Sequence, residues 1–143
     1  MDVQWGYNNI WIRQGDEWKA AFKTNQGLFE PTVMFFGMCN SLATFQSMMD
    51  MTFEDIIERR CTVIYMDNIM NFSNDLDTLE KSDKDILQQL QENDLYLKPT
   101  KCEFKKTKIK YLGMVITEGQ IYMDPVKVKG LQDWPILTNV KEV

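Results

Sequence analysis

The first third of the chain alternates apolar and polar residues in short runs, a pattern that predicts β-strands. The runs cover residues 7–12, 18–24 and 32–36, and turn-forming residues separate them at 14–16 and 25–27. Because short turns join neighbouring antiparallel strands, this part of the chain is expected to form hairpins.

From residue 40 the apolar residues recur three or four positions apart, which predicts an α-helix. Asn40 or Ser41 would cap its first turn. The residues that would form its buried face are Leu42, Phe45, Met49, Phe53 and Ile56. A second helix is expected at about 78–93, where Asp77 and Glu80 resemble a capping box.

Between these helices, two β-rich runs at 61–66 and 69–72 have only Asp67 and Asn68 between them. That spacing predicts a two-residue hairpin turn with two polar side chains at its tip. If the strand near Asp2 is counted and the inserted hairpins are set aside, the order is strand, helix, strand, strand, helix, strand. This is the split β-α-β order of ferredoxin-like domains, so an α+β fold is expected.

The last third of the chain is expected to contain one more hairpin and a short helix. Its β-rich runs at 111–116 and 121–123 flank a turn at 117–120. Asp124 would then cap a helix, and Pro125 would be its first residue. Proline is favoured at this position because a backbone N–H there has no partner within the helix.

The composition limits the chemistry that this chain can perform. It has no histidine, the most common general base and a frequent zinc ligand. Its three cysteines are far apart and form no Cys-x-x-Cys pair, so a reducing compartment is expected. No apolar run approaches the roughly 20 residues that span a bilayer, and no membrane partner is expected. Chemistry would then depend on carboxylates, lysines and bound metal.

The formal net charge of −5 disfavours binding of nucleic acid by bulk electrostatics. The charge is unevenly distributed, however, because six lysines occur within thirteen residues. They are Lys98, Lys101, Lys105, Lys106, Lys108 and Lys110. Such a run is most often a solvated surface, and contact with phosphates is the alternative.

Two aspartates are candidates for a metal site. Asp2 lies early in the first strand and Asp67 at the tip of the central hairpin, 65 residues later. Adjacent strands of the expected sheet would bring them to one pocket. Paired carboxylates bind hard divalent cations, and two cations about 3.5 to 4 Å apart can stabilise both oxygens of a phosphoryl transfer. An aspartate in a turn more often serves turn geometry, so spacing alone leaves both interpretations open.

Six segments of the chain resemble a known family. They are residues 2–9, 18–24, 36–46, 65–68, 98–104 and 111–113. In this order they resemble the successive motifs of reverse transcriptases from gypsy-class long-terminal-repeat retrotransposons, and the resemblance runs the full length of the chain. It implies an α+β fold, namely a ferredoxin-like polymerase palm with an inserted fingers β-hairpin region, truncated at both ends.

On this resemblance, residues 1–143 are a partial reverse transcriptase domain. About 1–116 would be the palm with the fingers hairpins. About 117–143 would be the primer-grip hairpin and the start of the thumb connection. The remaining fingers, the thumb and the RNase H domain are expected to be missing. Because Asp2 lies so early in the chain, its strand is expected to fray.

The resemblance also assigns the metal ligands. Asp2 matches the family's first metal-binding aspartate, and Asp67 matches the first aspartate of its Tyr-x-Asp-Asp turn, so both would hold Mg²⁺ or Mn²⁺. Lys101 matches a lysine that helps to protonate the pyrophosphate leaving group. Asn68 is a degenerate catalytic position, because the family has aspartate there. The lost negative charge is expected to lower catalysis by a factor on the order of 100 or more.

Further residues are assigned to the substrates. Tyr7 falls where the family has an aromatic residue beneath the sugar of the incoming nucleotide, and Phe36 and Gly37 fall in the segment that contacts nucleotide and template. The hairpin that grips the primer end is resembled by Tyr111, Leu112 and Gly113.

The implied activity is RNA-directed DNA polymerisation, in which deoxynucleoside triphosphates extend a primer on an RNA or DNA template. Its implied location is the cytoplasm, within a virus-like particle for the parent element. Because of Asn68 and the truncation, little activity is expected. A non-catalytic remnant of a decayed element is the alternative. A single-strand RNA-binding module is a third interpretation, although its basic-Gly-aromatic-Gly-aromatic signature is not found.

Overall fold

The computed structural model describes residues 1–134, which form two compact units, Met1–Cys102 and a second unit from Glu103 onward. The part of the expected thumb connection at 135–143 lies outside the described residues. No helix within residues 1–134 is both long and apolar enough to cross a membrane.

The elements of the first unit are β1 (Val3–Gln4), β2 (Phe22–Thr24), β3 (Gly27–Phe29), α1 (Ser41–Thr52), α2 (Glu54–Glu58), β4 (Thr62–Tyr65), β5 (Asn68–Asn71), α3 (Leu76–Glu92) and β6 (Tyr96–Leu97). Those of the second are β7 (Lys108–Tyr111), β8 (Met114–Thr117), β9 (Gln120–Met123) and α4 (Pro125–Gln132).

Four strands of the first unit lie side by side in the order β6, β1, β5, β4. Strand β1 pairs with β6, Asp2 bridges to Asn68 at the start of β5, and β5 pairs with β4, always antiparallel. With α1 and α2 before β4 and α3 before β6, this is the ferredoxin-like order. The expected α+β fold is therefore confirmed. The short strand β6, which supplies the outer edge, was not predicted.

The buried face of the first helical segment matches the prediction except at its start. Phe45, Met49, Phe53 and Ile56 are fully buried, but Leu42 is 62% exposed. Ser41 is buried instead, and its hydroxyl donates to the carbonyl of residue 35 at 3.1 Å. The inward positions of α1 thus recur four apart from Ser41, so Leu42 points away from the core.

The central hairpin is confirmed, but its turn lies one residue earlier than predicted. Met66 and Asp67 are the turn residues, and Asn68 pairs with Tyr65 within the ladder. This register places Ile64 opposite Ile69, both buried, whereas a turn at 67–68 would separate them. Core packing across the two strands therefore explains the shift. Met66 takes a φ of 56°, a value that two-residue hairpin turns require and that glycine usually supplies.

The first third of the chain contains less strand than predicted. Residues 6–9 form a 3-10 turn, because Tyr7 turns inward and packs on Phe45. Residues 11 and 33 meet only in an isolated bridge, so the predicted strands at 7–12 and 32–36 are wrong. The turn around residues 25 and 26 is confirmed, and β2 lies within the predicted run at 18–24, whose first half forms a 3-10 turn instead. Strand β3, which pairs with β2, was not predicted.

Helix α3 begins earlier than expected and has a different cap. The carboxylate of Asp75 accepts from the backbone N–H of Thr78 at 2.8 Å, so the predicted cap at Asp77 is wrong. Its inner face packs Ile86 and Leu90 into the core.

In the second unit, β7, β8 and β9 form an antiparallel sheet. The β8–β9 hairpin and the cap of α4 are confirmed, since Asp124 accepts from the N–H of Val126 at 3.1 Å. Strand β7 was not predicted. Its turn into β8 consists of Leu112 and Gly113, both with positive φ. The domain boundary predicted near residue 116 falls inside β8. Strand β8 belongs both to the hairpin that contains Gly113 and to the hairpin that follows it, so the two hairpins share one sheet.

Candidate functional site

The structure brings the two candidate aspartates and Asn68 together. The N–H of Val3 donates to the carbonyl of Asp67 at 2.8 Å, and Asp2 lies directly opposite Asn68. Directly opposed residues of antiparallel strands point to one face, with Cβ atoms about 5 Å apart. The amide of Asn68 also donates to the carboxylate of Asp67 at 3.0 Å. The three side chains therefore form one polar cluster where β1 meets the hairpin.

Backbone hydrogen bonds hold the segment around Asp2 on both sides. The carbonyl of Asp2 accepts from the N–H of Lys98 at 2.9 Å, on the β6 side. On the β5 side, the N–H of Ile69 donates to the carbonyl of Met1 at 3.0 Å. The short segment therefore lies between two neighbours, and the fraying expected of this strand stays a prediction.

Gln46 of α1 holds the hairpin tip, a role that no pattern in the sequence indicated. Its side-chain carbonyl accepts from the backbone N–H of Met66 at 2.7 Å, and its amide donates to the carbonyl of Ile64 at 3.3 Å and to Asp50 at 2.8 Å. The N–H of Met66 and the carbonyl of Ile64 are backbone groups with which a neighbouring strand would otherwise form hydrogen bonds. Gln46 thus pairs with the edge of β4 immediately before Asp67.

Lys101 joins the same cluster. Its ammonium lies 3.2 Å from the Oδ2 of Asp2, whose side chain is only 15% exposed, compared with 56% for that of Lys101. The family resemblance assigns this lysine to protonation of the leaving group, and that role stays a prediction.

Tyr7 lies beside the cluster, beneath Phe36. The ring of Tyr7 is 4.7 Å from that of Phe36 and 5.0 Å from that of Phe45, measured between centroids. Burial raises the pKa of the Tyr7 hydroxyl, and the negative charge of Asp67 raises it further. Phe36 is 78% exposed, and the adjacent Gly37 has a φ of 102°. Tyr7 and Phe36, the aromatic residues assigned to the nucleotide, are therefore in contact. Tyr7 also lies close enough to Asp67 for the charge of that carboxylate to raise its pKa.

The residues assigned to the primer grip lie in the second unit, at the end of β7 and in the turn that follows. Glycine is favoured at position 113 because its φ is 77°, a left-handed backbone conformation that residues with a side chain rarely adopt. Burial raises the pKa of Tyr111. Lys110 and Asp124 form an ion pair at 2.9 Å nearby in the same unit.

The donor set suits a hard divalent cation. Asp2 and Asp67 offer carboxylate oxygens, and Asn68 offers an amide oxygen, which is a weaker and neutral ligand. Within residues 1–134, no group of three or more His, Cys, Asp or Glu side chains is placed to hold a metal ion. Asp2 and Asp67 are the two carboxylates of the cluster that could hold a cation.

Comparison with known proteins identifies the family. Residues 1–116 match the model of the reverse transcriptase (RNA-dependent DNA polymerase) family. The whole chain is 34% identical to part of the retrovirus-related Pol polyprotein from transposon opus of Drosophila melanogaster and covers 14% of it. It is 32% identical to part of the transposon Tf2-7 polyprotein of Schizosaccharomyces pombe and covers 11% of that protein. The chain thus spans about one seventh or less of the length of these relatives.

Solved structures agree on the fold. The chain is similar to the foamy viral protease-reverse transcriptase in complex with dsDNA, with a TM-score of 0.87 over 99% of this chain and 29% of that one, at 19% identity. A complex of the same viral protein with an RNA/DNA hybrid has the same TM-score. This chain belongs to the reverse transcriptase family and is similar to a portion of retrotransposon polyproteins. The matches favour this interpretation over the single-strand RNA-binding module.

Proposed function

We propose that this chain forms the nucleotide-adding centre of a gypsy-class retrotransposon reverse transcriptase, weakened at one catalytic position. The observation that carries the proposal is the juxtaposition of Asp2, Asp67 and Asn68 across β1 and the central hairpin. Its substrates are a primer on an RNA or DNA template and deoxynucleoside triphosphates, and its setting is the cytoplasm. The names of the transposon relatives support the retroelement origin.

Asp2 and Asp67 are the ligands for Mg²⁺ or Mn²⁺. When bound, such cations neutralise the triphosphate and stabilise the attacking and leaving oxygens of the transfer. The chain's own contribution is positioning, because Gln46 and Val3 fix the backbone on either side of Asp67. Tyr7 supports the sugar of the nucleotide and disfavours a 2′-hydroxyl by contact. Tyr111, Leu112 and Gly113 hold the primer end.

Asn68 weakens this centre through its charge. An amide in place of a carboxylate removes one negative charge from a site that must attract dications to a triphosphate. In reactions of this kind catalysis is mainly electrostatic, and loss of one such group costs roughly 100-fold to 1,000-fold in rate. The same residue favours a second candidate, a non-catalytic remnant.

Primer extension by the 143-residue chain and by Asn68→Asp, with Mg²⁺ or Mn²⁺ titrated, tests the proposal. We expect at least a 100-fold faster extension by Asn68→Asp. Asp67→Asn is the matched negative control, because it removes the same charge from the neighbouring position. Equal rates for the unmodified chain and Asn68→Asp would contradict the role of residue 68, and no extension by either would favour the remnant.

A further inference from the structure

The contact between Lys101 and Asp2 is built by the strand that flanks β1. The N–H of Lys98 donates to the carbonyl of Asp2, and the N–H of Lys101 donates to the carbonyl of Lys98 at 3.0 Å. A 3-10 turn at Pro99–Lys101 follows, and proline fixes its first φ. The pairing of β6 with β1 therefore delivers the ammonium to within 3.2 Å of the carboxylate.

Both carboxylates of the cluster already have partners. Asp2 is paired with Lys101, and Asp67 accepts from the amide of Asn68 at 3.0 Å. The formal charge of these four side chains is −1. A dication that approaches the mostly buried Asp2 must displace the ammonium or share the carboxylate with it, at a cost in Coulomb energy.

We propose that Lys101 is an internal counter-ion that competes with the divalent cation for Asp2. This inference rests on the proposed function, since it requires that Asp2 and Asp67 bind the cation. The lysine side chain is more than half exposed, so it can move into solvent when the cation binds. A partly exposed ion pair contributes up to about 1 kcal/mol, so its removal should tighten cation binding roughly 5-fold.

Titration of the 143-residue chain with Mn²⁺, with free Mn²⁺ followed by electron paramagnetic resonance, tests the competition. The informative variant is Lys101→Gln, which keeps the chain length and polarity of the side chain but removes its charge. Lys101→Arg retains a competing cation, and Lys98→Gln removes the same charge from an exposed side chain three residues away. Far-UV circular dichroism of each variant checks that the fold is kept.

We expect Lys101→Gln to bind Mn²⁺ about 5-fold more tightly, while Lys101→Arg and Lys98→Gln stay near the unmodified chain. An unchanged or weaker affinity of Lys101→Gln, or an equal gain for Lys98→Gln, overturns the proposal. Asp67→Asn separates the two hypotheses. Mn²⁺ binding that is indifferent to Asp67→Asn refutes the metal site and the competition with it. Binding that depends on Asp67 but not on Lys101 refutes the competition alone.

Discussion

Replacement of Gln46 by leucine tests how the hairpin tip is held. The substitution keeps the side chain near its original volume but removes the acceptor for the N–H of Met66 and the donor to the carbonyl of Ile64. It also removes the bond to Asp50 on the same helix. With leucine at this position, the N–H of Met66 would lose its partner and lie beside an apolar side chain, and Met66 is only partly exposed to water.

The expected loss follows from the two backbone contacts. The 2.7 Å bond to Met66 should contribute about 1 to 1.5 kcal/mol, and the longer 3.3 Å bond to Ile64 about 0.5 kcal/mol. The exposed bond to Asp50 adds only a few tenths of a kcal/mol. The free energy of unfolding should therefore fall by about 2 kcal/mol.

Urea denaturation followed by circular dichroism measures this loss, and the chain supplies a matched control. Gln88 of α3 makes the same helical bond to a carboxylate four residues later, Glu92, at 2.8 Å, and that bond is exposed. Gln88→Leu should change the free energy of unfolding by less than about 0.5 kcal/mol. Equal losses for the two variants would refute the idea that Gln46 secures the turn before Asp67.

Two further predictions concern packing and pH. Gly6→Ala should lower the free energy of unfolding by about 1 to 3 kcal/mol, because the added Cβ would lie 2.7 Å from the Cε2 of Phe45. By contrast, the Cβ that Gly130→Ala adds in α4 would meet nothing within 4 Å, and this substitution should stabilise the chain. Thermal unfolding compares these two variants. The ion pair with Lys110 and the helix cap lower the pKa of Asp124 below its ordinary value. At pH values above the ordinary pKa, the ionised carboxylate therefore stabilises the fold. This stabilisation is lost as the pH falls through the lowered pKa of the folded state. Asp124→Asn should therefore reduce stability at pH 7 and weaken its dependence on acid, and melting curves at pH 7 and below about pH 3 that shift in parallel would contradict this.

The order of β1, β5 and β4 and the meeting of Asp2 with the hairpin were predictable from the sequence, whereas β6 was not. The reason is that the alternation of strands and helices fixes which strands are neighbours, and Asp2 and Asp67 lie at strand ends. The turn itself was misplaced by one residue, because its register depends on Ile64 packing opposite Ile69 across the ladder. Local spacing of polar residues contains no information on that pairing.

The contacts of Gln46 and Lys101 were not predictable for a different reason. A glutamine in a helix usually faces solvent, and the partners of Gln46 are backbone atoms 18 and 20 residues away, which give no signal in side-chain chemistry. Lys101 was expected at the site only by resemblance. Its pairing with Asp2 depends on β6, whose two residues are too few for a periodic pattern to reveal.

These contacts imply that the position of Asp67 and the charge of the cluster depend on different residues. The position of Asp67 is fixed by Gln46 on one side and by Val3 on the other, and both contacts involve backbone atoms at the turn. Neither contact uses the side chain of residue 68. A change from aspartate to asparagine there alters the charge of the cluster while these supports remain. On the proposed function, a family member can therefore lose negative charge at its metal-binding turn and still keep the palm fold.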